Sequence, residues 1–129
     1  MFDLIAPQLA EDYHVIAYDQ RGHGQTAGSP AKLGIAGADG WCGFVQDARQ
    51  VSALIQQQHP ELPLFLFGHS MGAALAQRYM QQWGGDLQGV ILSGPGGPAL
   101  DLEPVIALAE QAAQADPNAP SLLASQMFA

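Results

Sequence analysis

The sequence predicts an α/β fold in which a parallel β-sheet is flanked by helices. Short apolar runs of strand length alternate with longer amphipathic stretches, and turns rich in Gly and Pro separate them. The composition, 48% hydrophobic and 12% charged over 129 residues, is that of a globular protein rather than a disordered one. Strands that alternate with helices require right-handed crossovers, and these produce a parallel sheet.

A short helix and a strand are the first predicted elements. Residues 2–9 carry apolar side chains at helical spacing, and residues 14–18 form a β-rich run that ends at Asp19. Both alternate faces of that run are apolar enough for a buried parallel strand. A turn at 21–24 and a loop at 25–40 follow, because both stretches are rich in turn-forming residues.

The middle of the chain repeats helix and strand. Apolar positions recur every three or four residues over 41–58, which predicts an amphipathic helix. Residues 64–67 form the second predicted strand and residues 71–83 the next helix. Gly84 and Gly85 are expected to cap that helix at its C-terminus.

A composition shift near residue 98 predicts two parts. Residues 90–93 read as a third strand, and a further amphipathic helix is expected over 103–115. No clear strand follows the shift. We therefore expect residues 1–98 to form the sheet-containing core and residues 99–129 to begin a helical insertion.

The charge and composition of the chain limit the classes of molecule that it is expected to bind. The formal net charge is −8, so a nucleic-acid partner is not expected, because no basic patch can neutralise phosphates. The four permanent cations are Lys32, Arg21, Arg49 and Arg78. No apolar tract is long enough to span a membrane, although transient contact with a lipid surface through apolar side chains remains open.

The remaining composition signals concern compartment and cofactors. The single cysteine, Cys42, cannot form an internal disulfide and is expected to be a buried thiol. The first residues lack the basic and apolar regions of a signal peptide, so a cytoplasmic location is expected, with a native start upstream left open. The sequence contains no metal-binding or dinucleotide-binding motif, so neither a metal nor an organic cofactor is expected.

The most informative motif surrounds Ser70. Gly68, His69, Ser70, Met71 and Gly72 form G-x-S-x-G between a predicted strand and a predicted helix, the context of a nucleophile elbow. Such a turn presents the serine hydroxyl as a nucleophile, and the two glycines let strand and helix cross closely. The backbone N–H of Met71, at the positive end of the helix dipole, is the expected oxyanion donor.

A serine hydroxyl needs a base to take its proton, and no histidine follows Ser70 in this sequence. His69 is adjacent, but neighbouring side chains at a strand end point in opposite directions. It is therefore expected to support the elbow by packing or a structural hydrogen bond. His23 is expected to order its loop, whereas His14 and His59 are expected to be exposed to solvent.

An acid is also needed to orient such a base. The acidic residues after the serine are Asp86, Asp101, Glu103, Glu110 and Asp116. Asp101 and Glu103 follow the third predicted strand, where some serine hydrolases that have a nucleophile elbow carry their acid. A solvated acidic face is the alternative for all five.

Two segments together resemble one known family. Residues 18–26 are similar to a D-x-R-G-H-G-x-S/T motif at a strand end, and residues 68–72 are similar to a G-H-S-M-G elbow. With one amphipathic helix between them, they resemble α/β-hydrolases of the monoacylglycerol lipase and lysophospholipase type, catalogued with the serine aminopeptidase S33 hydrolases. The resemblance covers residues 1–98, and residues 99–129 are similar to the start of that family's helical cap.

The resemblance implies a partial α/β-hydrolase fold and cleavage of a small acyl ester, such as a monoacylglycerol or lysophospholipid, through an acyl-serine intermediate. Ser70 matches the family's nucleophile. The family's acid and histidine follow the cap, and its second oxyanion N–H precedes the first helix, so none of these is expected here. The chain is therefore expected to be a fragment, inactive alone. Other acyl hydrolysis (aminopeptidase, amidase or perhydrolase) and a non-catalytic interaction protein of the same fold remain open.

Overall fold

The computed structural model describes residues 2–96, 103–117 and 119. They fall into two compact units, which divide between residues 96 and 97. The first unit contains, in order, α1 (Phe2–Leu9), α2 (Gly40–Gln58), β1 (Phe65–His69), α3 (Met71–Trp83) and β2 (Gly89–Ser93); the second contains α4 (Glu103–Ala115). The domain boundary predicted at residue 98 lies outside the described residues.

The sheet of the first unit is a parallel pair, β1 and β2, joined through α3. The register pairs Phe65 with Gly89 at one end and His69 with Ser93 at the other. The carboxyl ends of both strands therefore meet at one edge, directly before the turn that contains Ser70.

Helices contact both faces of β1. Side chains alternate along a strand, so Leu66 and Gly68 face one way and Phe67 the other. Leu66 packs against the core between α2 and α3, whereas the ring of Phe67 meets that of Phe2 in α1, with centroids 5.2 Å apart. This parallel sheet with flanking helices confirms the predicted α/β class.

The core lies where α2 packs against α3. Its members recur at three- and four-residue spacing, because such residues share one face of a helix. The buried cluster consists of Phe44, Val45 and Ala48 from α2 and Leu75 and Tyr79 from α3. This packing fixes α3, and with it the turn that precedes α3.

A polar network joins the two helices beside this core. The hydroxyl of Tyr79, whose side chain is fully buried, lies 2.7 Å from the hydroxyl of Ser52 and accepts a hydrogen bond from Arg49 at 3.3 Å. Arg49 also pairs with Asp86 at 2.5 Å and lies over the ring of Trp83. The buried hydroxyls are thus satisfied, as buried polar groups must be.

The strand predicted over 14–18 is wrong for the described chain. Residues 14–18 have no strand assignment, and no backbone–backbone hydrogen bond of the described residues involves them. A strand exists only where a second backbone supplies matching N–H and C=O groups, and no described segment does so here. Tyr13, which precedes the run, packs its ring on Phe65 with centroids 6.4 Å apart.

Gly84 caps α3 at its C-terminus, as predicted, with a φ of −59° and its N–H bonded to the carbonyl of Met80. A 3₁₀ turn (Gly84–Asp86) follows α3. Arg49 binds the carboxylate of Asp86 and Gln56 donates to its carbonyl, so this turn is attached to α2.

The prediction of a buried thiol is wrong, because Cys42 is exposed. It lies one helical turn before the exposed Gln46, on a face of α2 that does not enter the core.

No helix in the described ranges combines the length and the apolar character needed to cross a bilayer.

Replacement of Tyr79 by Phe tests the polar network. The variant keeps the buried ring but removes a hydroxyl that bonds to Ser52 and Arg49. We expect the free energy of unfolding of the intact protein, measured in urea, to fall by about 1–2 kcal/mol. The matched control Tyr13→Phe, on an exposed ring, should stay within about 0.5 kcal/mol of wild type. Equal effects of the two variants would contradict the network's role.

Candidate active site

Ser70 occupies the turn between β1 and α3 with φ 53° and ψ −117°. It is the only non-glycine residue with positive φ among those the structure describes. A non-glycine residue in such a conformation costs about 1–3 kcal/mol, so the surroundings must hold it there. The strand, strained turn and helix are the structural context that the G-x-S-x-G pattern requires, and Ser70 is exposed.

Backbone hydrogen bonds hold Ser70 on both sides. Its N–H donates to the carbonyl of Ser93 at 2.9 Å, which ties the turn to the end of β2. Its own carbonyl accepts from the N–H groups of Ala73 and Ala74, at 2.9 and 3.3 Å, and so begins α3. The hydroxyl of Ser70 has no hydrogen-bond partner among the described residues, so it is presented to the solvent side of the turn.

The two glycines of the motif have different roles. A Cβ at Gly68 would clash with the carbonyl of Gly72 and lie 2.8 Å from the nitrogen of Ala73, so only glycine fits where β1 passes α3. A Cβ at Gly72 would meet nothing within 4 Å. The prediction that Gly72 must lack a side chain for strand and helix to cross is therefore wrong. The close contact at the crossing is made by the backbone carbonyl of Gly72 with Gly68.

Met71 is the first residue of α3, where backbone N–H groups have no partner within the helix. In the part of the chain that the structure describes, no hydrogen bond uses the Met71 N–H. It lies directly after Ser70, at the positive end of the α3 dipole. This position suits an oxyanion donor, a role that stays a prediction.

His69 is tied to Ser93. The two residues are register partners at the strand ends, so their side chains leave the same face of the sheet. Nδ1 of His69 lies 3.1 Å from the hydroxyl of Ser93, a hydrogen bond in which either atom can donate. Sequence reasoning missed Ser93; the signal was a serine that ends the strand after the elbow strand.

The other histidines do not reach the nucleophile. His14 and His59 meet edge to face, with ring centroids 4.5 Å apart. Nδ1 of His23 donates to the carbonyl of Arg21 at 3.0 Å. No histidine among the described residues hydrogen-bonds to Ser70, so the base of a serine hydrolase is not in this arrangement.

The acid candidates are dispersed. Asp86 follows the C-terminal end of α3, a helix of 13 residues, so it lies about 18 Å along the axis from the Ser70 end. It is also engaged by Arg49. Asp101 lies outside the described residues. The second unit contains the other three candidates, in and just after α4: Glu103, Glu110 and Asp116. That one of them orients the catalytic base stays a prediction.

The residues of the second sequence motif build a loop. Arg21 forms two hydrogen bonds to the carboxylate of Asp47 in α2, at 2.5 and 2.7 Å. These bonds hold the pKa of Asp47 below its usual range. The pKa of the Tyr18 phenol is raised, mainly because the ring is partly buried and also because the negative charge of Asp47 is nearby. The Arg21–Asp47 pair therefore anchors the loop to α2.

The same loop is closed around Asp19. Its carboxylate accepts from the N–H of Gln25 at 2.8 Å, and its carbonyl accepts from the hydroxyl of Thr26 at 2.6 Å. A Cβ at Gly24, where φ is 45°, would clash with that carboxylate. The motif at 18–26 is thus structural in the first unit.

No group of three or more His, Cys, Asp or Glu side chains in the described part of the chain is arranged to hold a metal ion.

Comparisons with known proteins give one consistent relationship. The family model described as serine aminopeptidase, S33, matches residues 2–123. A monoacylglycerol lipase of Mycolicibacterium smegmatis is 34% identical over 93 residues, which are 71% of this chain and 31% of that protein. A monoglyceride lipase of Rattus norvegicus is 34% identical over 95 residues, 73% of this chain and 30% of that protein. The chain thus spans about a third of the length of these curated relatives.

A solved structure supports the same fold. A highly thermostable carboxyl esterase from Bacillus coagulans, in complex with glycerol, matches with a TM-score of 0.64 and 33% identity. The match covers 72% of this chain and 30% of that one. Together these comparisons confirm the resemblance that the two sequence motifs predicted.

Substitutions at the two motif glycines test the elbow. We expect Gly68→Ala to lower the free energy of unfolding of the intact protein by about 3 kcal/mol, because its methyl group would overlap the backbone of α3. Gly72→Ala is the matched control. It enters open space on a helix and should be neutral or stabilising by up to about 1 kcal/mol. Urea unfolding measures both, and a Gly68→Ala variant as stable as wild type would contradict the described crossing.

Proposed function

This chain belongs to the serine aminopeptidase S33 family of hydrolases, and we propose that it carries the nucleophile of a carboxylic ester hydrolase, Ser70. The observation that carries the proposal is the positive φ of Ser70 at the carboxyl end of a parallel strand. Open α/β sheets bind ligands at the carboxyl ends of their strands. An exposed hydroxyl held there in a strained turn is suited to nucleophilic attack.

The proposed chemistry has two steps. The oxygen of Ser70 attacks the ester carbonyl carbon while a base takes its proton, and the alcohol leaves with a proton to give an acyl-serine. Water then attacks the acyl carbon while the base takes its proton. The bond to the Ser70 oxygen breaks, that oxygen regains a proton, and the fatty acid is released. In both steps negative charge develops on the carbonyl oxygen, and the N–H of Met71 would donate to it.

We propose that the base and the acid are supplied by residues outside these 129. The side-chain partners of the four histidines in the described structure are other residues than Ser70, and the matched relatives are about three times as long as the stretch they share with this chain. A serine without a base is a weak nucleophile. Residues 1–129 alone are therefore expected to be inactive.

The proposed substrate class is a small acyl ester, a monoacylglycerol or a lysophospholipid. The names of the matched relatives, monoacylglycerol lipase and monoglyceride lipase, support this choice. Transient contact with a lipid surface would accompany such a substrate. The predicted lack of a nucleic-acid partner and the predicted cytoplasmic location both stay predictions.

A second candidate is cleavage of an N-terminal amino acid from a peptide. The description of the matching family model, serine aminopeptidase, favours it. The same nucleophile serves both reactions, so the substrate separates them. An ester hydrolase should cleave a monoacylglycerol and leave an aminoacyl anilide intact, whereas an aminopeptidase should do the reverse.

A fluorophosphonate probe tests the role of Ser70. The reagent forms a covalent bond with activated serines, because the serine oxygen attacks phosphorus, loses its proton to the base and displaces fluoride. In the intact protein we expect labelling that tandem mass spectrometry maps to Ser70. It should disappear in Ser70→Ala and persist in the control Ser29→Ala, an exposed loop serine.

Two results of this experiment would contradict the proposal. If the intact protein is not labelled at Ser70, then the elbow does not carry an activated nucleophile. Labelling of residues 1–129 by themselves would show instead that the base lies within this chain.

A further inference from the structure

We propose that Ser93 is a positioning residue for the nucleophile, an inference that rests on the proposed function of Ser70. Ser93 ends β2 and forms hydrogen bonds with two residues of the elbow, His69 and Ser70. Its carbonyl accepts from the N–H of Ser70, and its hydroxyl forms a hydrogen bond with the ring of His69. Neither sequence motif includes it.

The backbone contact acts at the strained residue itself. The pairing of β1 with β2 ends at His69 and Ser93, and the bond from the Ser70 N–H to the Ser93 carbonyl, 2.9 Å long, continues it by one residue. At Ser70 the chain leaves the strand with φ 53°. A conformation of this kind persists only where its surroundings fix it, and this bond fixes the amino side of Ser70.

The side-chain contact secures the residue before it. Nδ1 of His69 lies 3.1 Å from the Ser93 hydroxyl. The ring also lies beside the chain after Ser93, since a Cβ added at Gly94 would be at ordinary van der Waals distance, 3.5 Å, from Cε1 of His69. The exposed imidazole therefore has the Ser93 hydroxyl as its polar partner and Gly94 as its neighbour.

The two contacts lie on consecutive residues at the end of β1. The Ser70 N–H bonds to the Ser93 carbonyl and the His69 ring bonds to the Ser93 hydroxyl, so both bonds join this end of β1 to Ser93. If β1 shifted relative to β2 at this end, both bonds would lengthen and the Ser70 hydroxyl would move with the chain. Because a displacement of about 1 Å at a reacting atom can reduce the rate about 100-fold, loss of the Ser93 hydroxyl should slow the reaction.

The test compares Ser93→Ala with Ser93→Thr in the intact protein. The first removes the hydroxyl, whereas the second keeps it, and both retain the backbone carbonyl that accepts from the Ser70 N–H. We expect Ser93→Ala to lower kcat on a monoacylglycerol by about 10-fold or more, with KM within about twofold of wild type. Ser93→Thr should keep kcat within about threefold of wild type.

A double-mutant cycle tests whether the Ser93 hydroxyl affects kcat through His69. If the hydroxyl acts through His69, then Ser93→Ala should add nothing to the loss caused by His69→Ala. Additive losses would overturn the proposal, as would a Ser93→Ala variant with wild-type kcat or a Ser93→Thr variant as impaired as Ser93→Ala.

Hydrogen exchange separates this inference from the proposed function. We expect the amide of Ser70 to exchange at least about 10-fold faster in Ser93→Ala than in wild type or Ser93→Thr, whether or not the protein hydrolyses esters. Unchanged exchange would overturn the positioning role. Absence of esterase activity and of probe labelling, together with faster exchange, would refute the proposed function of Ser70 and show only that the Ser93 hydroxyl holds the turn at Ser70.

Discussion

The hydrogen bond from the N–H of Ser70 to the carbonyl of Ser93 is the constraint on which the site depends. This bond joins the ends of the two parallel strands at Ser70, the residue at which φ becomes positive. The chain can then enter α3 directly, because the carbonyl of Ser70 accepts the first helical hydrogen bonds. One residue therefore ends the strand, begins the helix and leaves its hydroxyl exposed.

The rest of the first unit keeps that turn in place. The apolar faces of α2 and α3 meet in a small core around Tyr79, and the glycine at position 68 lets β1 pass α3 at backbone contact. The Arg21–Asp47 pair attaches the loop before α2 to this platform. The proposed chemistry is concentrated at one edge of the sheet, and the pairs Arg21–Asp47 and Arg49–Asp86 hold the helices and loops that support it.

The sequence was sufficient for elements that depend on local pattern. The bounds expected for the helix after the elbow match α3, because its apolar spacing and the preceding G-x-S-x-G turn are both local signals. The strained turn could also be anticipated, since a serine between two glycines at a strand end has few other uses. By contrast, the strand expected at 14–18 needs a neighbouring backbone, which no local pattern can reveal.

Contacts between distant residues were beyond prediction for the same reason. The tie between Ser93 and His69 depends on strand register, and the exposure of Cys42 depends on which face of α2 is buried. The role expected for Gly72 failed because the pattern shows that a glycine is present but not which of its atoms makes the contact.

A crystal structure of the intact protein with a phosphonate bound covalently would show whether Ser70 is the nucleophile. We expect phosphorus bonded to the oxygen of Ser70, with that residue still at positive φ. A phosphonyl oxygen should lie about 2.7–3.1 Å from the Met71 nitrogen. An adduct on another residue, or a Ser70 within regular helix with its hydroxyl buried, would show that this turn does not present the nucleophile.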